Sequence, residues 1–179
     1  MTDERDEQHQ GAPTPLAQAP TWTNPYIGMV ALATAVIKRW GAEGEAVISD
    51  AFFELGLRTG AYMREQRVTS EQPGAQEWGR LTEKLLDLTG ITDHTVVEDT
   101  PDRFTIMVRS CPYVAAYRAL GSPSYICRIP TLWDRGCIAA LNPRLTLTQP
   151  KTLMQDDPHC LYVIEQHLEP QVDTRRAEH

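Results

Sequence analysis

The residues with the most specific chemistry are four cysteines, which all fall in the second half of the chain. The first, Cys111, directly precedes Pro112. Because proline favours the first position of a helix, we expect Cys111 at or near the N-cap of the helix that follows. The unpaired N–H groups of a helix start favour an anion and lower the pKa of a thiol, so Cys111 is a candidate nucleophile. The alternative is a small buried residue at the end of a strand.

An aspartate and two further cysteines are spaced to share one helix face. Asp134 and Cys137 are three residues apart, and Cys127 lies about two helical turns before Asp134. The spacing predicts a shared lining for these side chains. The alternative is an ordinary ion pair of Asp134 with Arg135 or a surface lysine.

A dense polar cluster precedes the last apolar stretch of the chain. It contains Asp156, Asp157, His159 and Cys160. A histidine beside carboxylates can act as a general base or hold a metal, which makes His159 a candidate for proton transfer. An Asp-Pro turn without chemistry is the alternative.

The spacing of the cysteines indicates whether they could bind zinc. Successive cysteines are 16, 10 and 23 residues apart, and no C-x-x-C pair occurs. We therefore expect no cofactor, with a zinc ion held by the cysteines as the alternative. The chain also contains no glycine-rich phosphate loop, no G-x-S-x-G and no H-E-x-x-H motif, so nothing supports those enzyme classes.

Elements that would position these residues follow from the hydrophobic period. Helical spacing predicts three helices in the first half, with stripes at Ile27 to Ile37, Ile48 to Tyr62 and Trp78 to Leu88. Gly56 and Gly60, four apart, allow a close helix contact. Two hairpins follow, around 94–109 and 145–165. Between them we expect a short helix over 112–120 and a second helical stretch, from Ser122-Pro123 to Leu141, that Pro130 must kink or restart. The fold class is therefore α+β, with N-terminal helices packed on a small antiparallel sheet of about four or more strands.

Composition sets the domain count and the class of partner. The chain has 179 residues, a net charge of −7 and a pI near 5.2, so no basic surface favours nucleic acid or anionic lipid. Residues 1–22 and 169–179 have the composition of disordered tails, and 23–168 form a single domain. The acidic start and the lack of a long apolar run predict a cytoplasmic protein without membrane contact. Exposed apolar helix faces suit a homodimer as well as a monomer.

The run from Arg109 to Glu165 carries a family resemblance. Read as RSCPY, YIC, LWDRGC and LNPRLTLTQPKTLMQDDPHCLYVIE, it resembles the L-2-amino-thiazoline-4-carboxylic acid hydrolases. One departure is that Gln155-Asp156 stands where a glycine is expected before the acidic residue. The family is similar in architecture to 4-vinyl reductase-type small-molecule-binding domains, so a non-catalytic, sensor-like domain is the alternative function.

The resemblance implies hydrolysis of a small cyclic amidine with opening of the ring. On that basis Cys111 is a nucleophile or lies beside the oxyanion, Asp134 binds the amidine nitrogens and His159 moves protons. Arg109 would bind the substrate carboxylate, although strand alternation also allows it to face solvent. The pocket wall would be completed by four residues: Cys127, Trp133, Asn142 and Cys160.

Overall fold

The computed structural model describes residues 25–169, and within that range the chain forms five α-helices and one four-stranded antiparallel sheet. This confirms the predicted α+β class. In chain order the elements are α1 (Pro25–Trp40), α2 (Ala42–Glu65), α3 (Ala75–Leu88), β1 (His94–Asp99), β2 (Arg103–Val108), α4 (Tyr113–Ala119), α5 (Arg128–Leu141), β3 (Leu145–Lys151), a 3-10 turn (Leu153–Gln155) and β4 (Cys160–Gln166). The predicted tails lie outside the described residues, apart from Glu169. Within the described part, no helix combines the length and the apolar character needed to cross a bilayer.

The first three helices begin and end close to their predicted bounds. α1 buries Ile27, Val30 and Ile37, as its spacing predicts, and ends at Gly41, which has a φ of 59°. On α3 the predicted stripe is partly wrong, because Leu88 is 82% exposed and Leu86 is buried instead. Leu88 is the last residue of α3, where no neighbouring element covers it.

Both predicted hairpins are present, and they join into one sheet of order β1-β2-β4-β3. All three strand pairs are antiparallel. In the central pair Val108 lies opposite Cys160 and Ile106 lies opposite Tyr162, so these four side chains share one face. That face is the buried one, because Phe104 on the same side lies against Gly79 of α3.

Of the two forms predicted for the segment around Pro130, the structure has the restarted helix and not the kinked one. Residues 124–127 form turns, and α5 starts only at Arg128. Pro130 is therefore the third residue of α5, where its missing N–H would have no helical partner anyway. No kink is needed, and Cys127 becomes the residue that precedes α5.

The close contact predicted for Gly56 and Gly60 joins α2 to α5. A Cβ at Gly56 would lie 2.1 Å from the carbonyl oxygen of Trp133, and one at Gly60 would lie 2.7 Å from that of Cys137. Gly136 on α5 is equally restricted, since its Cβ would lie 2.2 Å from the carbonyl oxygen of Phe53. The two backbones touch directly, which fixes the position of α5 and of the side chains on its other face.

Candidate functional site

Cys111 follows β2 and lies just before α4, as predicted. The backbone N–H groups of Tyr113 and Val114 approach its sulfur and lower the thiol pKa. Desolvation by burial is the larger effect, however, and the net pKa is raised to about 11. At neutral pH Cys111 is therefore a neutral thiol, and the expected lowering by the helix start is outweighed.

Two further thiols lie close to Cys111. Burial, with a smaller contribution from negative charge on Cys111 and Cys160, raises the pKa of Cys127 to about 12. Cys160 is buried at the start of β4, and its sulfur accepts the backbone N–H of Leu153 at 3.3 Å. Cys111, Cys127 and Cys160 come from three separate segments and lie close enough for a charge on one to affect the pKa of another.

Four tyrosines surround these thiols, and the sequence reasoning missed all of them. Tyr26 and Tyr113 have ring centroids 5.3 Å apart, and Tyr113 lies 6.1 Å from Tyr117. Burial raises the pKa of Tyr26, Tyr117 and Tyr162, and charges on Cys111 and Cys127 would raise each further. Their spacing was a usable signal, because Tyr113 and Tyr117 share a helix face directly after Cys111.

Asp134 is the acidic residue beside these thiols and phenols. We call the thiols and phenols the cysteine–tyrosine cluster, which consists of Cys111, Cys127, Cys160, Tyr26, Tyr113, Tyr117 and Tyr162. Burial raises the pKa of the Asp134 carboxyl to about 7. A charge on Asp134 in turn adds to the burial effect that raises the pKa of Tyr26 and of Cys137. The predicted common face of Asp134 and Cys137 is thus present. A carboxyl that titrates near neutrality inside a protein can exchange protons or pair with a cationic ligand.

A cleft of about 350 Å³ opens to the surface at Cys111. Its walls include Val114, Leu153 and the charged side chains of Arg118 and Asp156. Arg118 donates hydrogen bonds to the carbonyl oxygen of Leu153 at 2.9 Å and to Asp156 at 2.7 Å. Arg118 was missed in the sequence because its distance from the acidic loop, 38 residues, gives no local signal. Cys111 therefore belongs both to the wall of the cleft and to the group of thiols.

Arg109, the predicted carboxylate clamp, also lines this cleft. Its guanidinium donates to Asp93 at 3.1 Å and to Thr95 at 2.7 Å, and its side chain is about half exposed. The strand alternation that allows a solvent-facing Arg109 therefore agrees with the structure. The acidic neighbour Asp93 already satisfies part of its charge.

The acidic loop has mainly structural contacts. Asp157 accepts the backbone N–H of Thr152 at 2.8 Å, and Asp156 has a φ of 61°, the left-handed conformation that glycine adopts most easily. His159 is half-buried directly before β4, and it is not among the groups that shift the pKa values of the cluster.

Two residues predicted in the pocket wall have other tasks. The indole N–H of Trp133 donates to the hydroxyl of Thr59 at 3.2 Å, which directs the ring towards α2. Asn142 is buried at the end of α5, where its amide donates to the carbonyl of Pro73 and accepts the N–H of Arg144, both at 3.0 Å. Because both the N–H and the oxygen of its amide are hydrogen-bonded to backbone groups, Asn142 stabilises the local chain instead of binding a ligand.

No three or more His, Cys, Asp or Glu side chains within residues 25–169 are grouped so that they could hold a metal ion. The four cysteines are free thiols there.

A family model described as L-2-amino-thiazoline-4-carboxylic acid hydrolase matches residues 25–164. No curated protein matches the chain.

Two solved structures are similar in fold. The phenol-responsive sensory domain of the transcription activator PoxR, with phenol, has a TM-score of 0.57 at 15% identity, covering 85% of this chain and 78% of that chain. Trafficking protein particle complex subunit 3 from Naegleria fowleri, covalently bound to palmitic acid, has a TM-score of 0.52 at 14% identity, covering 82% of this chain and 99% of that chain. At these identities the likeness concerns the fold alone.

Proposed function

Because the chain belongs to the L-2-amino-thiazoline-4-carboxylic acid hydrolase family, we propose that it hydrolyses a small cyclic amidine at the cysteine–tyrosine cluster. Water adds to the amidine carbon, the bond from that carbon to the ring heteroatom breaks, and the heteroatom leaves with a proton. For an amino-thiazoline carboxylate the product is an N-carbamoyl amino acid with a free thiol.

The observation that carries this proposal is the buried carboxyl of Asp134 with its pKa of about 7. A protonated amidine carries two N–H groups in one plane, which match the two oxygens of a carboxylate. Binding of the cation removes the penalty for a buried charge, so Asp134 would bind an amidinium more tightly than a neutral ring. Tyr113 donates its O–H to the carbonyl of Thr89, so the phenols of Tyr117 and Tyr162 would supply O–H groups for the oxygen that arrives and the heteroatom that leaves.

The raised pKa of Cys111 bears on its role in this reaction. A thiol with a pKa of about 11 supplies little thiolate at neutral pH. Direct attack by water, with Cys111 shaping the mouth of the pocket, therefore suits the geometry better than a covalent intermediate on sulfur.

The substrate carboxylate would be bound at the entrance by Arg118. Its partner Asp156 has a side chain that is 88% exposed, so the pair is weakly held and can exchange for a substrate carboxylate. Arg109 lines the same cleft but is bound to Asp93 and Thr95. We therefore assign the clamp to Arg118 ahead of Arg109, and leave His159 without a role in the cluster.

The test is incubation of the full chain with 2-amino-thiazoline-4-carboxylate, followed by mass spectrometry for the addition of one water. Asp134→Asn should reduce turnover by at least about 100-fold, because the amide cannot neutralise the amidinium. Asp50→Asn, an exposed aspartate on α2, is the matched control and should turn over normally. Equal turnover in the two variants removes Asp134 from the mechanism.

A non-catalytic binding domain is the second candidate, favoured by the likeness to a phenol-responsive sensory domain. The tyrosine-lined interior would then hold a small ring without opening it. The same incubation separates the two functions, because a binding domain protects the added ring from hydrolysis and returns it unchanged after denaturation.

A further inference from the structure

The helix α2 carries an exposed and mostly apolar stripe on the side away from its contact with α5. Five residues form it, and we call them the α2 stripe: Val47, Ala51, Leu55, Arg58 and Tyr62. They fall within an arc of about 80°, because each residue advances an α-helix by about 100°. Val47, Leu55 and Tyr62 are 60%, 51% and 60% exposed. Large apolar side chains aligned on one exposed helix face are typical of a docking surface.

The charges of α2 differ between its two halves. Residues 42–54 contain four acidic side chains and no basic one, whereas the rest of the helix carries Arg58, Arg64 and one acid at its end. Arg64 donates to the carbonyl oxygen of Leu141 at 3.3 Å, so it is used in the contact with α5. Within the part of the chain that the structure describes, neither Arg58 nor Glu54 takes part in an ion pair. Arg58 is therefore available to an acidic partner, and Glu54 to a basic one.

A second copy of α2 in antiparallel orientation fits both the apolar side chains and the charges. With a two-fold axis between residues 54 and 55, Val47 of each copy lies opposite Tyr62 of the other copy. Leu55 then lies beside the axis, and Arg58 comes within about one helical turn of Glu54 in the other copy. The acidic half of each helix faces the half that carries the arginine, and the antiparallel helix dipoles attract each other. Because the contact is symmetric, each of these pairs forms twice.

We propose that the α2 stripe is the interface of a homodimer, formed by two copies of α2 that pack antiparallel about this two-fold axis. A parallel pair would place the two acidic halves against each other, which is unfavourable because like charges repel. Residues 47–62 span about 24 Å of helix, so the contact is small and its dissociation constant should be on the order of 10 µM. No residue of the α2 stripe lines the cleft at Cys111, and the dimer requires no catalytic activity.

Sedimentation equilibrium of the full chain tests the interface. The wild type should be mostly dimeric at about 100 µM. Leu55→Asp should weaken dimerisation by at least about 100-fold, because it places two like charges beside the axis. Leu88→Asp is the matched control, since Leu88 is 82% exposed at the end of α3, and it should dimerise like the wild type. Circular dichroism shows whether each variant keeps the helical content of the wild type.

Two charge reversals test the register of the two helices. Arg58→Glu and Glu54→Arg should each weaken self-association by at least about tenfold, because like charges then meet across the axis. A 1:1 mixture of the two variants should form a heterodimer with about the affinity of the wild type, since each glutamate at one position again meets an arginine at the other. Repulsion within a single helix cannot produce this recovery, because mixing leaves each chain unchanged.

Three results would overturn the proposal. A wild type that stays monomeric at about 100 µM would leave the α2 stripe to a different partner. Equal dimerisation of Leu55→Asp and Leu88→Asp would place the dimer contact elsewhere on the molecule. A mixture of Arg58→Glu and Glu54→Arg that associates no better than either variant alone would remove the antiparallel register.

Discussion

The two faces of α5 differ in their packing and in the polarity of the side chains they carry. One face carries Gly136 and packs against α2 so closely that the two backbones touch. The other carries Asp134, a carboxyl held among thiols and phenols with its pKa raised to about 7. The first face has no room for a side chain, whereas the second retains a polar group at a cost in stability. A rigid backbone contact on one side of a helix can thus hold a desolvated polar group on the other.

The largest expected effect comes from adding a methyl group where α2 contacts the backbone of α5. Gly56→Ala places a methyl group 2.1 Å from the carbonyl oxygen of Trp133, so the helices must separate. We expect a loss of about 3 kcal/mol or more in the free energy of unfolding, measured by urea denaturation. Gly28→Ala on α1 is the control, since nothing lies within 4 Å of its Cβ and alanine favours a helix. Equal stability of both variants would falsify the close contact.

The second prediction concerns the polar face and pH. The folded pKa of Asp134, about 7, lies above the ordinary aspartate value of 3.8, so the native state binds the proton more tightly than the unfolded chain does. Relative to Asp134→Asn, the wild type should therefore lose stability as pH rises from about 4 through 7, by roughly 2–4 kcal/mol in total. Urea unfolding of both proteins at pH 5 and pH 8 measures most of this change. A stability difference that does not vary with pH would place Asp134 in solvent.

The third prediction separates two arginines at the mouth of the cleft. Arg118→Gln should raise the KM for a carboxylate-bearing substrate about tenfold with a smaller change in kcat, because a binding group is lost outside the reacting centre. Arg109→Gln should change KM by less than about threefold, since Asp93 already engages its charge. Steady-state kinetics of the pair decide the assignment. The reverse order of effects would return the clamp to Arg109.

The smallest expected effect is that of Cys111→Ser. If water attacks directly, replacing a neutral thiol by a hydroxyl of similar size should reduce kcat by less than about threefold. Quenched samples of the wild type should also contain no covalent adduct by mass spectrometry. A loss beyond about 100-fold, or an adduct on Cys111, would show that sulfur is the nucleophile.

Features of the site could be predicted where they depend on residues that are neighbours in the sequence. The place of Cys111 before a helix follows from Pro112, and the common face of Asp134 and Cys137 follows from their spacing. The pairing of Arg118 with the acidic loop could not be anticipated, because it joins residues far apart in the chain. The hydrogen bonds of Trp133 and Asn142 could not be anticipated for the same reason, because each partner lies on a distant element.

The sequence by itself determined the α+β class, the two hairpins and the concentration of chemistry in the second half, because hydrophobic period and turn residues act over a few neighbours. Only the tertiary structure decided which groups are deprived of water. Desolvation is a property of the whole packing around a group, and it raises the pKa of Cys111 against the local effect of the helix start. The same packing raises the pKa of Asp134 to about 7.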